Sequence, residues 1–101
     1  MIAVRAFPTL KNKTKDESEY ILNSFKTYAT VPIINMESAT AHPLQALADA
    51  ITISELTEKK QPKVVLSWAP HPKALPQAVA NSFVEMMQHL EVDFIITHPK
   101  G

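Results

Sequence analysis

The chain contains no cysteine. Disulfides and thiolate metal sites are therefore excluded. Its one glycine is Gly101, at the very end, so a glycine-rich phosphate loop cannot form within these 101 residues. Charge of either sign is not in excess: ten basic residues balance ten acidic ones, and the formal net charge is zero. That argues against bulk electrostatic attraction to nucleic acid or an anionic membrane and leaves only a local patch as a route. No apolar run approaches membrane-spanning length. The N-terminus lacks the basic-then-apolar pattern of a secretion signal. The expectation is a cytoplasmic protein with no nucleic-acid or membrane partner.

Proline, by contrast, is plentiful. Of eight prolines, three follow histidine, in His42-Pro43, His71-Pro72 and His98-Pro99. The residue before proline is pushed out of the α region. Each pair should sit at an element boundary, where a side chain can point into a cleft. The four histidines do not suggest a metal: no pair has the i, i+4 spacing of a helical zinc site.

The most informative stretch is Thr40 to Ile53, TAHPLQALADAITI. Thr40 can act as N-cap, and Pro43 falls in the first turn, where its missing N–H costs nothing. His42 and Gln45 are three apart and share a face near the helix start. Leu44, Leu47, Ala48 and Ile51 follow helical spacing and predict the buried stripe. The helix end presents an imidazole and a carboxamide, which suits an anionic or carbonyl-bearing ligand.

Around it the chain alternates. Ile2 to Phe7 reads as a strand, followed by a polar, basic loop over Thr9 to Lys15. Asp16 and Glu19 have capping-box spacing and predict one helix to about Tyr28, with Ile21, Phe25 and Tyr28 buried. Val31 to Met36 is a second strand, and the central helix runs to about Glu58. Lys63 to Ala69 is a third strand, whose apolar run suits a sheet covered on both faces. Pro76 opens a last helix with Val79, Phe83, Met86, Met87 and Leu90 inward. Asp93 to Thr97 is a fourth strand. The order β-α-β-α-β-α-β predicts an α/β fold with parallel strands and right-handed crossovers. Ligands bind such sheets beyond the carboxyl ends of the strands. Arg5, Glu37, His71 and His98 lie at or just after those ends, and His42 and Gln45 begin the helix after one of them. The chain opens and closes directly on a strand, which reads as a segment of a longer α/β protein.

Each candidate also has a plainer role. Arg5 could pair with a carboxylate, Glu37 could cap a helix, and His71 could pack in a stiff Pro-His-Pro loop. Asp49 reads as a structural hydrogen-bond partner, His89 and His98 as surface or strand-end groups, and Phe83, Met86 and Met87 as core. Lys11, Lys13 and Lys15 read as a solvated loop.

Two segments carry a resemblance: Met36-Glu37-Ser38-Ala39-Thr40-Ala41-His42-Pro43-Leu44-Gln45, running on to Leu47-Ala48-Asp49, and Trp68-Ala69-Pro70-His71-Pro72-Lys73-Ala74-Leu75-Pro76-Gln77-Ala78-Val79. Together they resemble the transcarbamylases. The Met-Glu-Ser and Trp-Ala-Pro-His-Pro portions look like the branch that carbamoylates N-acetylornithine or N-succinylornithine in arginine biosynthesis. Val4-Arg5-Ala6-Phe7 and Phe94 to Pro99 also fit that branch. The resemblance implies a two-domain α/β enzyme, a homotrimer, with sites between domains and at subunit contacts. This chain would span the domain junction: residues 1–41 ending the carbamoyl-phosphate domain, 42–58 forming the interdomain helix, and 59–101 starting the amino-acid-substrate domain. His42 and Gln45 would be catalytic and hold the carbamoyl group. Arg5, with His42, Pro43, Leu44 and Gln45, would bind carbamoyl phosphate. Glu37, His71 and Phe7 would contact the acylated ornithine. No metal or organic cofactor is implied. The family's Ser-x-Arg-Thr-type loop and its His-Cys-Leu-Pro segment are not in the chain, so activity from these residues alone is not expected. An ornithine or aspartate transcarbamylase is the alternative enzyme, and a non-catalytic, self-associating α/β module the alternative class.

Overall fold

The computed structural model describes residues 1–100. Four strands and four helices follow in the order β1 (Ile2–Arg5), α1 (Lys13–Glu17), α2 (Tyr20–Tyr28), β2 (Ile33–Glu37), α3 (Pro43–Leu56), β3 (Lys63–Ser67), α4 (Ala78–Met87) and β4 (Asp93–Thr97). The strands form two separate parallel pairs, β1 with β2 and β3 with β4. The expected α/β class and strand direction are therefore present. α3 joins one pair to the other and packs against both β2 and α4.

The chain forms a slab of 45 × 36 × 16 Å. Its radius of gyration, 15.7 Å, exceeds the roughly 13 Å of a compact 100-residue domain. The core is correspondingly small. Its fully buried apolar residues, among those described, are Val4, Ala46, Ala50, Ala78 and Met87. Alanines at 46, 50 and 78 let α3 and α4 approach closely, and Phe83 of α4 meets Phe94 of β4 edge-on at 6.0 Å.

Several expectations are corrected. The stripe Leu44, Leu47, Ala48 and Ile51 faces solvent, with Leu47 47% exposed, and the helix buries Ala46 and Ala50 instead. Ile21, Phe25 and Tyr28 of α2 are exposed too. Apolar periodicity marks a face that must be covered, but it does not say which neighbour covers it. In α4, Val79 is exposed while Met87 is buried. β3 alternates between exposed and partly covered residues, so it is not covered on both faces.

The helix boundaries also move. The expected helix from Asp16 to Tyr28 is two helices, broken at Glu19, which is left-handed (φ 52°, ψ 37°). That conformation costs a residue with a Cβ on the order of 1 kcal/mol. Asn12, not Asp16, caps α1, accepting the Lys15 N–H at 3.0 Å, so Lys13 and Lys15 are helical rather than in the loop. Asp16 instead accepts the backbone N–H groups of Thr9 and Leu10, both at 2.9 Å. The Thr9 hydrogen bond leads the causes that hold its carboxyl below the usual aspartate value. The cap position of α3 is His42 rather than Thr40, with Pro43 next, and α4 starts at Ala78 rather than Pro76.

Candidate active site

The site begins with an irregularity in β1. Ile2, Ala3 and Val4 pair in step with Ile33, Ile34 and Asn35, but Arg5 pairs with Glu37, skipping Met36. A one-residue slip in a strand changes which face a side chain meets. Here it sets the arginine beside the glutamate at the carboxyl ends of both strands. Arg5 Nε donates to Glu37 Oε2 at 2.8 Å. The Glu37 side chain is 8% exposed and that of Arg5 57%, so the carboxylate lies inside and the guanidinium opens to solvent. Phe7 lies beneath the cation, its ring centre 4.6 Å from Arg5 Cζ. This contact orients the guanidinium plane.

The third member arrives from α3. His42 Nε2 stands 3.6 Å from Glu37 Oε2, close but longer than a hydrogen bond. His42 Nδ1 is buried and has no hydrogen-bond partner among the described residues. The imidazole is therefore not locked by its own surroundings. The His42 backbone N–H is fixed, donating to Ser82 Oγ of α4 at 2.8 Å. One cation, one buried carboxylate and one imidazole thus converge at the end of a small parallel sheet and the start of a helix. A guanidinium with free outer N–H groups suits phosphate, and an imidazole beside it suits a polarised carbonyl oxygen.

Not every expected residue joins them. Gln45 Nε2 donates to Asp49 Oδ1 at 2.9 Å, along the exposed side of α3. Asp49 is thus a structural partner, as the sequence suggests. His71 closes its own turn: Nδ1 lies 2.9 Å from Lys73 O and 3.1 Å from Lys73 N. No described contact ties it to Arg5, Glu37 or His42. Pro43 and Leu44 occupy the exposed first turn of α3. No group of three His, Asp or Glu residues that could hold a metal occurs among the described residues. Among the described residues no helix is long and apolar enough to cross a membrane.

Sequence reasoning missed Ser82 and Glu19. Ser82 had a signal, a lone hydroxyl one helical turn after Ala78 on a buried face. Glu19 had none, because its partners lie 19 to 21 residues away.

Residues 1–55 match the profile of the aspartate/ornithine carbamoyltransferase, carbamoyl-P binding domain. The chain belongs to the aspartate/ornithine carbamoyltransferase family. Within the family it is similar to the N-succinylornithine carbamoyltransferase of Bacteroides thetaiotaomicron, with 52% identity over 101 residues, all of this chain and 32% of that protein. It is also similar to the N-acetylornithine carbamoyltransferase of Xylella fastidiosa, at 42% identity over 98% of this chain and 30% of the relative. Among solved structures, an N-acetyl-L-ornithine transcarbamylase variant complexed with carbamyl phosphate and N-succinyl-L-norvaline superposes with a TM-score of 0.79. That match is 38% identical and covers 98% of this chain and 31% of the other. This member of the family therefore spans about a third of the length of the curated relatives it matches.

Proposed function

We propose that this chain supplies one part of the active site of a carbamoyltransferase acting on N-acetyl- or N-succinyl-ornithine, in arginine biosynthesis. The observation that carries the reading is the convergence of Arg5 and His42 on Glu37 at the carboxyl ends of β1 and β2. The solved relative holding carbamyl phosphate and an N-succinyl amino acid supports the ligand class.

In the reaction the side-chain amine of the acylated ornithine attacks the carbamoyl carbon, and phosphate leaves. Arg5 meets the phosphate with its outer N–H groups, its Nε remaining on Glu37. His42 and Gln45 donate toward the carbamoyl oxygen, where negative charge builds. Gln45 must then exchange Asp49 for the ligand, a side-chain rotation on an exposed helix face. Glu37, Phe7 and His71 contact the acylated ornithine, His71 after leaving its turn. Holding two reactants face to face supplies much of the acceleration, and no covalent intermediate or cofactor is required. Residues 1–41 close the carbamoyl-phosphate domain, 42–58 cross between domains, and 59–101 open the second. The assembled enzyme is a cytoplasmic homotrimer.

The test replaces the matching third of the Bacteroides thetaiotaomicron relative with residues 1–101 and assays the resulting full-length chimaera. With carbamoyl phosphate, turnover is expected on N-acetyl- or N-succinyl-ornithine. Turnover on free ornithine alone would overturn the acyl assignment, and no turnover on any acceptor would overturn the reading.

A further inference from the structure

Glu37 ends β2 and His42 caps α3, and the four residues between them belong to neither element. Ser38, Ala39, Thr40 and Ala41 close on themselves through one backbone bond, Ser38 N–H to Ala41 O at 2.8 Å. That single bond does not fix the link relative to the rest of the molecule. A carboxylate from elsewhere does. Glu19 Oε1 accepts the Thr40 N–H at 2.8 Å, the Ser38 hydroxyl at 2.8 Å and the Thr40 hydroxyl. Glu19 Oε2 accepts the Ala39 N–H at 3.3 Å. Asn35 Nδ2 donates to Ser38 Oγ at 3.0 Å, and the serine's own proton has Glu19 Oε1 at 2.8 Å as its nearer acceptor, with Ala41 O at 3.3 Å. Ser38 is almost fully buried, which makes this network hard for water to replace.

Glu19 reaches the link because it is the left-handed break between α1 and α2. From the other side, Asn81 Nδ2 donates to Thr40 O at 3.1 Å, and Ser82 Oγ accepts the His42 N–H. The link is thus gripped between the first sheet's helix pair and α4. Partial burial raises the Glu19 pKa, but the Thr40 and Ser38 hydroxyls and the two N–H groups outweigh it and hold the carboxyl below the usual glutamate value. The protein therefore favours the ionised form that can accept four donors at once.

We propose that Glu19 is a positioning residue for the site. Its carboxylate fixes the Ser38–Ala41 link, and the link sets Glu37 and His42 at their working separation. The inference rests on the carbamoyltransferase reading of that cluster. Arg5 sits on β1, and its Nε bond to Glu37 couples its side chain to the link. Loss of Glu19 therefore disturbs the groups at the carbamoyl oxygen and the acylated ornithine and, through Glu37, the seat of the Arg5 guanidinium.

The experiment uses the full-length chimaera described above, with Glu19→Ala, Glu19→Gln, Thr40→Val and the double variant Glu19→Ala/Thr40→Val. Kinetics are read at a temperature where circular dichroism shows each variant folded. Glu19→Ala is expected to lower kcat about tenfold or more and to raise KM for both the acylated ornithine and carbamoyl phosphate, because Glu37 and His42 contact one or the other. A loss of folded protein alone moves neither KM. Glu19→Gln keeps the size and one acceptor oxygen, and is expected to fall between wild type and Glu19→Ala. It carries the comparison if the alanine variant does not fold. Thr40→Val is expected to cost nothing further once Glu19 is gone. An active wild-type chimaera whose Glu19 variants keep kcat and both KM values would overturn the positioning role alone. So would full additivity of the Glu19 and Thr40 changes. A wild-type chimaera without turnover would overturn the carbamoyltransferase reading and this inference with it.

Discussion

Arg5 and Glu37 should not be equivalent when removed, although they form one ion pair. The pair is lopsided: the glutamate side chain is 8% exposed and the arginine 57%. Arg5→Ala strands a buried carboxylate, whose only other side-chain partner nearby, among the described residues, is His42 at 3.6 Å. Breaking a fully buried pair costs about 3–5 kcal/mol, and water reaching this one from the arginine side brings the expectation to about 2 kcal/mol. Glu37→Gln leaves an exposed guanidinium, which water solvates readily, and keeps an acceptor oxygen for Nε. A neutral acceptor in place of a charged one gives up about half the bond, so about 1 kcal/mol is expected. Urea denaturation of the chain and both variants measures this through the transition midpoint, provided the slope is unchanged. Glu37→Gln costing as much as Arg5→Ala, or more, would refute the argument that burial of the carboxylate sets the energetics of the pair.

Other outcomes follow from the same geometry. Ser82→Ala removes the acceptor of the His42 N–H and is expected to destabilise the chain by about 1–3 kcal/mol, read by thermal melting; Ser82→Thr retains the hydroxyl and should recover much of it. Ala50→Leu forces a large side chain into the buried face of α3 and should cost about 1–3 kcal/mol, whereas Leu47→Ser on the open face should stay within about 0.5 kcal/mol. A glutamate held below its usual pKa stabilises fully above the usual value, and its contribution is lost as pH falls through the folded-state value. Hydrogen exchange at the Ala39 and Thr40 amides should therefore lose protection on acidification through that range in the wild-type chain, and Glu19→Gln should remove this step.

The element order was readable because short apolar runs and helical periods alternate, and β4 falls on the five residues its pattern predicts. Which helix face is buried was not readable. Leu44, Leu47 and Ile51 have the spacing of a core stripe, yet α3 buries Ala46 and Ala50 where it packs against α4 and β2, because close approach of two elements favours the small residues. Arg5, Glu37 and His42 could be placed at strand ends from sequence. Their convergence could not, because it depends on the skipped Met36, a register feature that leaves no mark in composition. His71 shows the opposite: proline on either side made it look poised, and its ring instead closes a local turn with Lys73. Glu19 was misread as a capping-box residue because spacing to Asp16 is visible in sequence and hydrogen bonds to residues 38–40 are not.

Calorimetric titration of carbamoyl phosphate into the full-length chimaera, wild type beside His42→Ala, measures the part His42 plays in holding the carbamoyl group. Saturable binding is expected, weakened about tenfold to a hundredfold by the substitution, as for a lost hydrogen bond to a polar, charged ligand. Equal affinity in both proteins would contradict it, because the helix that begins at His42 would then play no part in holding the carbamoyl group.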